Sequence, residues 1–420
     1  MPSRSPQAVP HARPITIQME ISIGRLRHQD ILTLCVLGLL GLGAIMVQSA
    51  STSVTGSLAW QWSLMGGKHL RFVIVAIITY FVVSRFNYAR VGAKAQSMWR
   101  SPVAWATVLS IAACMAVLVP GIGSQINGAR RWLKFGPLVV QPSELAKWAT
   151  VLFLAYWLTR KPTEKFLTGF LPAMVPVGAL CLLVVIQDFG TAALIALCAL
   201  TMLLAGRIKL WHIAIILIPA LVAGTWFITH KAYRMKRITA FAHPWENPQG
   251  EGYHMIQSLL SFSTGGVFGK GLGNGIQKLG YLPEDTTDFI FAVICEELGL
   301  FGAILTIALY MGIIYVAWQV VRQRRDEFGR MLAFGIASMI GLQAAINIAV
   351  ATVSVPTKGL SLPLVSAGGS GLVITCAALG LLCSTTRFGK REVVVEVEAS
   401  DCTIAGALKL PEPGTTREAA

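Results

Sequence analysis

Charged side chains are scarce in this sequence. Only 13% of the 420 residues are Asp, Glu, Lys or Arg, whereas 54% are hydrophobic and the mean hydropathy is +0.63. This composition excludes a soluble protein of several domains, because too few polar side chains are available to cover its surfaces. The scarcity of charge therefore predicts a polytopic membrane protein.

Motifs for disulfides, structural zinc and nucleotides are also missing. The glycine-rich stretch GGVFGKG at 265–271 lacks the P-loop spacing and has no Ser or Thr after its lysine, so an ATP site is excluded. The eight cysteines form no CxxC pair and lie almost entirely in apolar segments, as small buried hydrophobic residues do. They stand at 35, 114, 181, 198, 295, 376, 383 and 402.

Long apolar runs predict ten membrane helices. The first extends from Ile31 to about Val47, and the others are centred near residues 76, 110, 151, 177, 197, 219, 306, 340 and 376. Each has roughly the 17–25 residues that a bilayer requires. A retained first helix is favoured, although the small residues at 49–51 leave cleavage of a signal peptide open. We predict an all-α membrane domain at 29–387 between two polar tails, 1–28 and 388–420.

Basic residues are concentrated in alternate loops. Clusters of Lys and Arg lie between helices 2 and 3, 4 and 5, 6 and 7, and 8 and 9, and after helix 10. By the positive-inside rule these loops and both termini are cytoplasmic, and the large loop at about 230–288, between helices 7 and 8, is extracytoplasmic. The net charge of +15 therefore indicates topology rather than a nucleic-acid partner.

Two outer loops break this pattern. The segment NGARRWLK at 127–134 contains Arg131, and the loop after helix 7 contains Arg234, Lys236 and Arg237. Anchoring to lipid phosphates is one interpretation of outer basic residues. Two separate clusters near an acidic segment favour the other interpretation, an anionic substrate such as a pyrophosphate.

The acidic segment, YLPEDTTDFIFAVICEE at 281–297, marks the point where the outer loop becomes helix 8. The apolar run begins directly after Asp288, so we expect this carboxylate at the membrane interface, where partial burial raises its pKa towards neutrality. Glu284 lies four residues earlier, at the outer surface. Glu296 and Glu297 lie inside the helix; a structural network is favoured for Glu297, and a substrate or metal role for Glu296 is less favoured.

Seven long motifs are spread along the chain. They are NGARRWL at 127, QPSELAK at 141, DFGT at 188, the run from Arg237 through AFAHPW to Tyr253, QSLLSFSTGGVFGKGLG at 257, QKLGYLPEDTTDFIFAVICEELG at 277 and PTKGLSLPLVSAGGS at 356. In this order they resemble the SEDS family of bacterial cell-wall proteins (shape, elongation, division and sporulation), and most of all its division branch. The chain departs from the family at Gln187, His243 and Ala367, where the family commonly has Pro, Asp and Tyr.

This resemblance implies a peptidoglycan glycosyltransferase. Family members polymerise lipid II, a disaccharide-peptide on undecaprenyl pyrophosphate, at the outer face of the bacterial cytoplasmic membrane, here during septal cell-wall synthesis. The resemblance also implies a transpeptidase partner, a class B penicillin-binding protein, together with other division proteins. The family's essential aspartate corresponds to Asp288.

The implied reaction needs a general base for the acceptor hydroxyl and cations for the departing pyrophosphate. Asp288 is the candidate base. It is also the candidate ligand for a Mg²⁺ or Mn²⁺ ion, whose participation the sequence leaves open. The candidates for substrate binding are the outer cations and nearby carboxylates: Arg131, Glu144, Lys147, Arg234, Arg237, Glu284 and Lys358.

Three of the polar positions have simpler structural interpretations. Glu144 and Lys147 stand three residues apart at the start of helix 4, which Ser143 would cap. An ion pair between them is as well supported as contact with substrate. Asp188, in the short turn between helices 5 and 6, is more typical of an N-cap of helix 6 than of a ligand.

Polar residues near the membrane midplane are few. The centres of helices 1, 3, 5, 6 and 7 contain no ionisable residue, and Gln343 and Asn347 in helix 9 are more typical of hydrogen bonds between helices than of ligands. A transporter would place its substrate site near the midplane. A transferase is therefore favoured, with lipid II flipping or a non-enzymatic division scaffold as alternatives.

Overall fold

The computed structural model describes residues 27–52, 64–92, 101–126, 129–136, 138–160, 165–230, 232–250 and 252–388. Both predicted tails lie outside these ranges, apart from a few residues beside the first and last helices. The tails and the domain boundaries drawn from them therefore stay predictions.

Ten long helices contain all ten predicted centres. They are α1 (His28–Thr52), α2 (Leu64–Arg85), α3 (Pro102–Leu118), α4 (Pro142–Leu158), α5 (Leu171–Val185), α6 (Phe189–Ala205), α7 (Leu210–Thr229), α10 (Ile290–Gln323), α11 (Glu327–Ala351) and α12 (Gly369–Phe388). Among the described residues, six candidate spans that correspond to α1, α2, α5, α10, α11 and α12 are long and apolar enough to cross a membrane, and α3, α6 and most of α7 are shorter apolar helices. The fold is that of a polytopic helical membrane protein.

A small antiparallel sheet contradicts the all-α prediction. Its strands are β1 (Gly123–Ile126), β2 (Ala129–Phe135) and β3 (Leu138–Val140), in the order β1-β2-β3. Alternate residues of β2 face opposite sides, so Leu133 is buried and Lys134 is exposed. The basic segment predicted as a loop is therefore mostly strand, and its pairing with β1 skips Arg131, which lies at a register shift between paired residues. Strands this short carry too little periodicity to be recognised between membrane helices.

The segment between α7 and α10, which the sequence predicts as a large outer loop, contains two further helices, α8 (Ala232–Ala242) and α9 (Tyr253–Gly265). After α9 the chain continues along the start of α10. That helix has non-helical backbone at Gly299, with φ of 64° and ψ of −156°, which a glycine adopts without strain. Around this break the loop supplies hydrogen bonds: the N–H of Lys270 donates to the carbonyl of Glu296 (3.0 Å), and that of Leu300 to the carbonyl of Gly266 (3.1 Å).

The buried core lies among α1, α2, α4, α6, α10, α11 and α12. By contrast, α7 is at the edge of the molecule and exposes large apolar side chains along its length, including Leu210, Ile218, Leu221, Val222 and Trp226. Lipid tails are as apolar as these side chains, so a helix at the periphery of a membrane protein can expose them at little cost.

Candidate active site

A cavity of about 1290 Å³ lies where the starts of α4, α6, α10 and α12 meet the C-terminal half of α11. Its lining includes β2, α8, α9 and the loop that joins α11 to α12. Six of the eight predicted site residues line it: Arg131, Glu144, Arg237, Glu284, Asp288 and Lys358. Residues from three separate outer regions of the sequence therefore meet in one place.

Asp288 stands two residues before the first residue of α10, as the sequence predicts. Burial is the main cause that raises the pKa of its carboxyl, to about 7, and the negative charges of Glu284 and Asp188 add to this effect. The guanidinium groups of Arg131 and Arg237 act in the opposite direction. A carboxylate with a pKa near neutrality can accept a proton and still be ionised for much of the time at physiological pH.

Asp188 forms another part of the cavity wall. Its side chain caps α6, accepting hydrogen bonds from the backbone N–H (3.2 Å) and the hydroxyl (2.9 Å) of Thr191, so the predicted N-cap is confirmed. It also lies 3.6 Å from Nη1 of Arg131. The ammonium of Lys358 lies 5.2 Å from the centre of the Phe189 ring, and burial lowers its pKa. The cations of Arg131 and Lys358 thus lie near the Asp188 carboxylate, which already accepts hydrogen bonds from Thr191.

Glu284 and Arg237 also line the cavity. Glu284 is exposed, adopts a left-handed backbone with φ of 56°, and accepts a hydrogen bond from the hydroxyl of Thr287 at 2.7 Å. Arg237 on α8 is half-buried and faces the same cavity. Arg234 lies one turn before Arg237 on α8, but its side chain is outside the described part of the structure, so its predicted contact with substrate stays a prediction.

Lys147 is placed differently from the other predicted cations. Only 1% of its side chain is exposed, and it does not line the cavity. Its ammonium pairs with Glu144 at 2.8 Å, which confirms the predicted ion pair, and donates to Oε1 of Gln343 at 2.8 Å. The predicted Ser143 cap is wrong: the N-cap of α4 is Gln141, with no side-chain hydrogen bond. Pro142 at the first helical position has no N–H to cap.

The sequence did not identify His254, which lines the cavity, and it predicted Asn347 only as a structural hydrogen-bonding residue. The ring of His254 in α9 stacks on Phe289, with centroids 6.1 Å apart, and its buried Nδ1 has no hydrogen-bond partner within the described ranges. Burial, aided by Arg237, lowers the pKa of this imidazole. The amide of Asn347 in α11 donates to the carbonyl of Asp288 at 2.8 Å. A lone His has no spacing by which the sequence could identify it, and the spacing of Asn347 from Gln343 predicts hydrogen bonds but not their partners.

The two glutamates further along α10 lie outside the cavity and are fully buried. Glu297 pairs with Lys278 at 2.6 Å and accepts from the hydroxyl of Ser49 at 2.9 Å, which confirms the predicted structural network. Glu296 accepts from Lys270 at 3.3 Å and from the N–H of Ile276 at 2.9 Å. It therefore has the same structural role, rather than the substrate or metal role that was the less favoured prediction.

The described residues contain no group of three or more His, Cys, Asp or Glu side chains that could together hold a metal ion. Asp288 offers a single hard oxygen ligand of the type that Mg²⁺ and Mn²⁺ prefer. An ion at this position would take most of its remaining ligands from water and from phosphate oxygens of a substrate, as Mg²⁺ commonly does.

Known proteins resemble this chain over nearly its whole length. A family model described as a cell cycle protein, of the FtsW, RodA and SpoVE type, matches residues 30–391. A probable peptidoglycan glycosyltransferase FtsW from Nitrosococcus halophilus is 39% identical over 363 residues, which are 84% of this chain and 91% of that protein. A protein of the same name from Coxiella burnetii is 38% identical over 359 residues, 84% of this chain and 94% of that protein.

Solved structures share the fold. One similar chain comes from a structure described as structural coordination of polymerization and crosslinking by a peptidoglycan synthase complex. The TM-score is 0.67 and the identity 26%, and the match covers 85% of this chain and 96% of that chain. The rod shape determining protein RodA of Thermus thermophilus is similar with a TM-score of 0.57 and 24% identity, covering 85% of this chain and 95% of that chain.

Proposed function

This chain belongs to the SEDS family of FtsW, RodA and SpoVE cell cycle proteins, and we infer that it is a peptidoglycan glycosyltransferase of cell division. The observation that carries the mechanism is the position of Asp288, a carboxylate with its pKa raised to about 7 in a cavity that also contains Arg131, Arg237 and Lys358. Such a cavity combines a proton acceptor with three positive charges.

We propose that Asp288 is the general base. It takes the proton from the acceptor sugar hydroxyl while that oxygen attacks the anomeric carbon of the donor, and the bond from this carbon to the pyrophosphate oxygen breaks. Negative charge then grows on the leaving pyrophosphate. Arg131, Arg237 and Lys358 supply the positive charges that stabilise it, in a partly buried site where such interactions are stronger than in water.

We propose lipid II as the substrate. Its prenyl tail would remain in the bilayer while its pyrophosphate and sugars lie at the depth of Asp288, which directly precedes the apolar helix α10. The cavity includes apolar walls at Phe289, Leu342 and Ile346 beside its charged groups, which suits a ligand with a lipid end and an anionic end.

The topology that fits this reaction has ten membrane crossings and both termini in the cytoplasm. The cavity then opens towards the outer face of the cytoplasmic membrane, where nascent glycan is needed. A class B penicillin-binding protein is the proposed transpeptidase partner, because one structural relative comes from a complex that joins polymerization and crosslinking. The division septum is the proposed location.

The test is polymerisation of labelled lipid II in detergent by the purified protein with its cognate transpeptidase, comparing wild type with Asp288→Asn. This change keeps the size of the side chain and removes the base. We expect long glycan strands from wild type and a loss of about 10²–10⁴-fold in the variant, the range that general-base catalysis contributes. Binding of both proteins to the partner controls for folding.

Equal rates from wild type and Asp288→Asn would contradict the assignment of the base. If neither protein polymerised lipid II, while liposomes containing the wild type moved labelled lipid II between leaflets, the transferase itself would be contradicted in favour of a flippase.

A further inference from the structure

The backbone of Asp288 is held by one buried amide. Asn347 lies in the last two turns of α11, with 1% of its surface exposed. Its Nδ2 donates two hydrogen bonds, one to the carbonyl of Asp288 (2.8 Å) and one to the carbonyl of Leu360 (2.7 Å). An amide NH₂ has two hydrogens, so this group is fully used in joining the two segments. The structural hydrogen bonds predicted for Gln343 and Asn347 are therefore present: Gln343 bonds to Lys147 of α4, whereas Asn347 bonds to two segments outside the helices.

The two segments carry groups that face one another in the cavity. Leu360 follows Lys358 and Gly359, and a Cβ atom built on Gly359 would lie 3.0 Å from Oδ2 of Asp288. The carboxylate therefore rests close to a backbone that has no side chain at this point. The hydroxyl of Ser366 donates to the carbonyl of Thr287, and thus adds a second link between the same segments.

A second amide extends this arrangement by one helical turn. Nε2 of Gln343 donates to the carbonyl of Ser361 at 2.8 Å, while Oε1 accepts from the ammonium of Lys147 at 2.8 Å. Gln343 and Asn347 are four residues apart and so lie on one face of α11. Lys147, although excluded from the cavity, thereby supports the segment that follows Lys358.

We propose that Asn347 is a positioning residue for the transferase reaction: by binding the carbonyls of Asp288 and Leu360 together, it fixes the distance between the base and the Lys358–Gly359 segment. The proposal rests on the proposed role of Asp288 as the base. A purely structural role, satisfying two buried carbonyls, would affect stability alone. A positioning role also affects kcat and the protonation of the base.

The variant that tests this role is Asn347→Leu, which keeps the approximate volume and removes both donors. We expect kcat to fall by about 10–100-fold, because misplacement of a catalytic group by 1 Å has an effect of this size. We expect KM to change by less than about twofold, since Asn347 does not contact the cavity. The acidic limb of the pH profile of kcat should move to lower pH, because a loosened carboxylate is better hydrated and easier to ionise.

The pH readout requires that other groups stay in place. The charged and titratable groups that line the cavity with Asp288 are Glu284 from its own segment, Asp188 at the N-cap of α6, Arg131 of β2, Glu144 of α4, Arg237 of α8, His254 of α9 and Lys358. Asn347→Leu alters none of them directly. A matched control is Thr150→Val, which removes a fully buried hydroxyl whose hydrogen bond stays within α4, and which should leave kcat and the pH profile unchanged.

A second variant approaches the carboxylate from the other side. Gly359→Ala places a methyl group 3.0 Å from Oδ2, so the carboxylate must move by a few tenths of an ångström. We expect kcat to fall by about tenfold or less. Its control is Gly178→Ala, where the added methyl meets nothing within 4 Å.

Four outcomes separate the hypotheses. A wild-type kcat and pH profile in Asn347→Leu would overturn the proposal, as would an equal loss in Thr150→Val. If Asn347→Leu fails to fold, the decision falls to Gly359→Ala, and an unchanged kcat there overturns it. If Asp288→Asn polymerises lipid II at the wild-type rate in the same assay, the proposed function fails first, and the two failures are thereby distinguished.

Discussion

Two acidic sites lie within ten residues of each other at the start of α10, and they are built in opposite ways. Glu296 and Glu297 are fully buried, and each accepts hydrogen bonds from a lysine and from backbone N–H groups. Asp288 lies in an open cavity, and no hydrogen bond reaches its carboxylate from the part of the chain that the structure describes. Its cations act only from a distance.

The difference teaches how the same chemical group serves structure in one place and chemistry in the other. A buried carboxylate with several hydrogen-bond donors holds its neighbours in place, and Glu296 and Glu297 hold the loop before Asp288 in this way. A carboxylate that is desolvated but left without donors has a raised pKa and can exchange a proton. Charge compensation, rather than burial alone, separates the two sites.

The largest expected effect on stability comes from breaking the compensated site. Glu297→Ala leaves the ammonium of Lys278, which is 2% exposed, buried without its carboxylate. We expect the free energy of unfolding to fall by about 3–5 kcal/mol, the usual cost of removing one partner of a buried pair. Thermal unfolding of the detergent-solubilised protein measures it.

The double variant Lys278→Met/Glu297→Leu is the control for this prediction. Because both charges are removed together, we expect it to recover most of the lost stability. A Glu297→Ala protein as stable as the wild type, or a double variant less stable than the single one, would contradict the interpretation of this pair as a compensated structural site.

At Asp288 the same kind of experiment should have the opposite sign. In the folded protein the pKa of the Asp288 carboxyl is about 7, above its ordinary value of 3.8. Ionisation of this group therefore disfavours the folded state. The stability that the neutral carboxyl contributes below about pH 4 is lost as the pH rises through 7. Asp288→Asn cannot ionise. At pH 8 we expect it to be more stable than the wild type by an amount on the order of 1–3 kcal/mol.

The pH dependence provides the control. Lowering the pH from 8 towards 4 should shrink the difference in thermal stability between Asp288→Asn and the wild type, because the wild-type carboxyl then becomes neutral in the folded state. A difference that is independent of pH would mean that packing, rather than charge, separates the two proteins.

Local spacing accounts for what the sequence predicted within the site. The Glu144–Lys147 ion pair, the Asp188 cap and the start of α10 after Asp288 depend on residues three or four apart, or on the edge of an apolar run. The burial of Lys147 could not be predicted in this way, because it depends on Gln343, which is 196 residues away in the chain.

The same limit applies to the remaining differences. Asn347 reaches Asp288 across 59 residues, and His254 meets Phe289 only because α9 folds back on the start of α10. The β-sheet was not predicted because its strands have only three to seven residues. Such short segments show too little alternation of apolar and polar residues to be distinguished from the neighbouring apolar sequence. Composition and periodicity fix helices, whereas long-range hydrogen bonds fix the geometry of the site.

A smaller effect is expected when one of the distant cations is removed from Asp288. Arg131 lowers the pKa of the Asp288 carboxyl, so in Arg131→Gln that pKa rises and the acidic limb of the pH profile of kcat should move to higher pH. A shift of about half a unit is expected for a partly screened charge. Lys134→Gln, an exposed cation on the same strand, is the matched control and should leave the limb in place.

The smallest expected effect has the opposite direction and comes from Asp188. Its charge raises the pKa of Asp288, so Asp188→Asn should move the acidic limb to lower pH by about a few tenths of a unit. The amide oxygen can still accept the N–H of Thr191, and the cap of α6 is retained. If the acidic limb of the kcat profile reports the ionisation of Asp288, the limb of the double variant Arg131→Gln/Asp188→Asn should lie at a pH between those of the two single variants. If both single variants leave the limb unchanged, a different group controls the rate, and the contrast between the two acidic sites no longer explains catalysis.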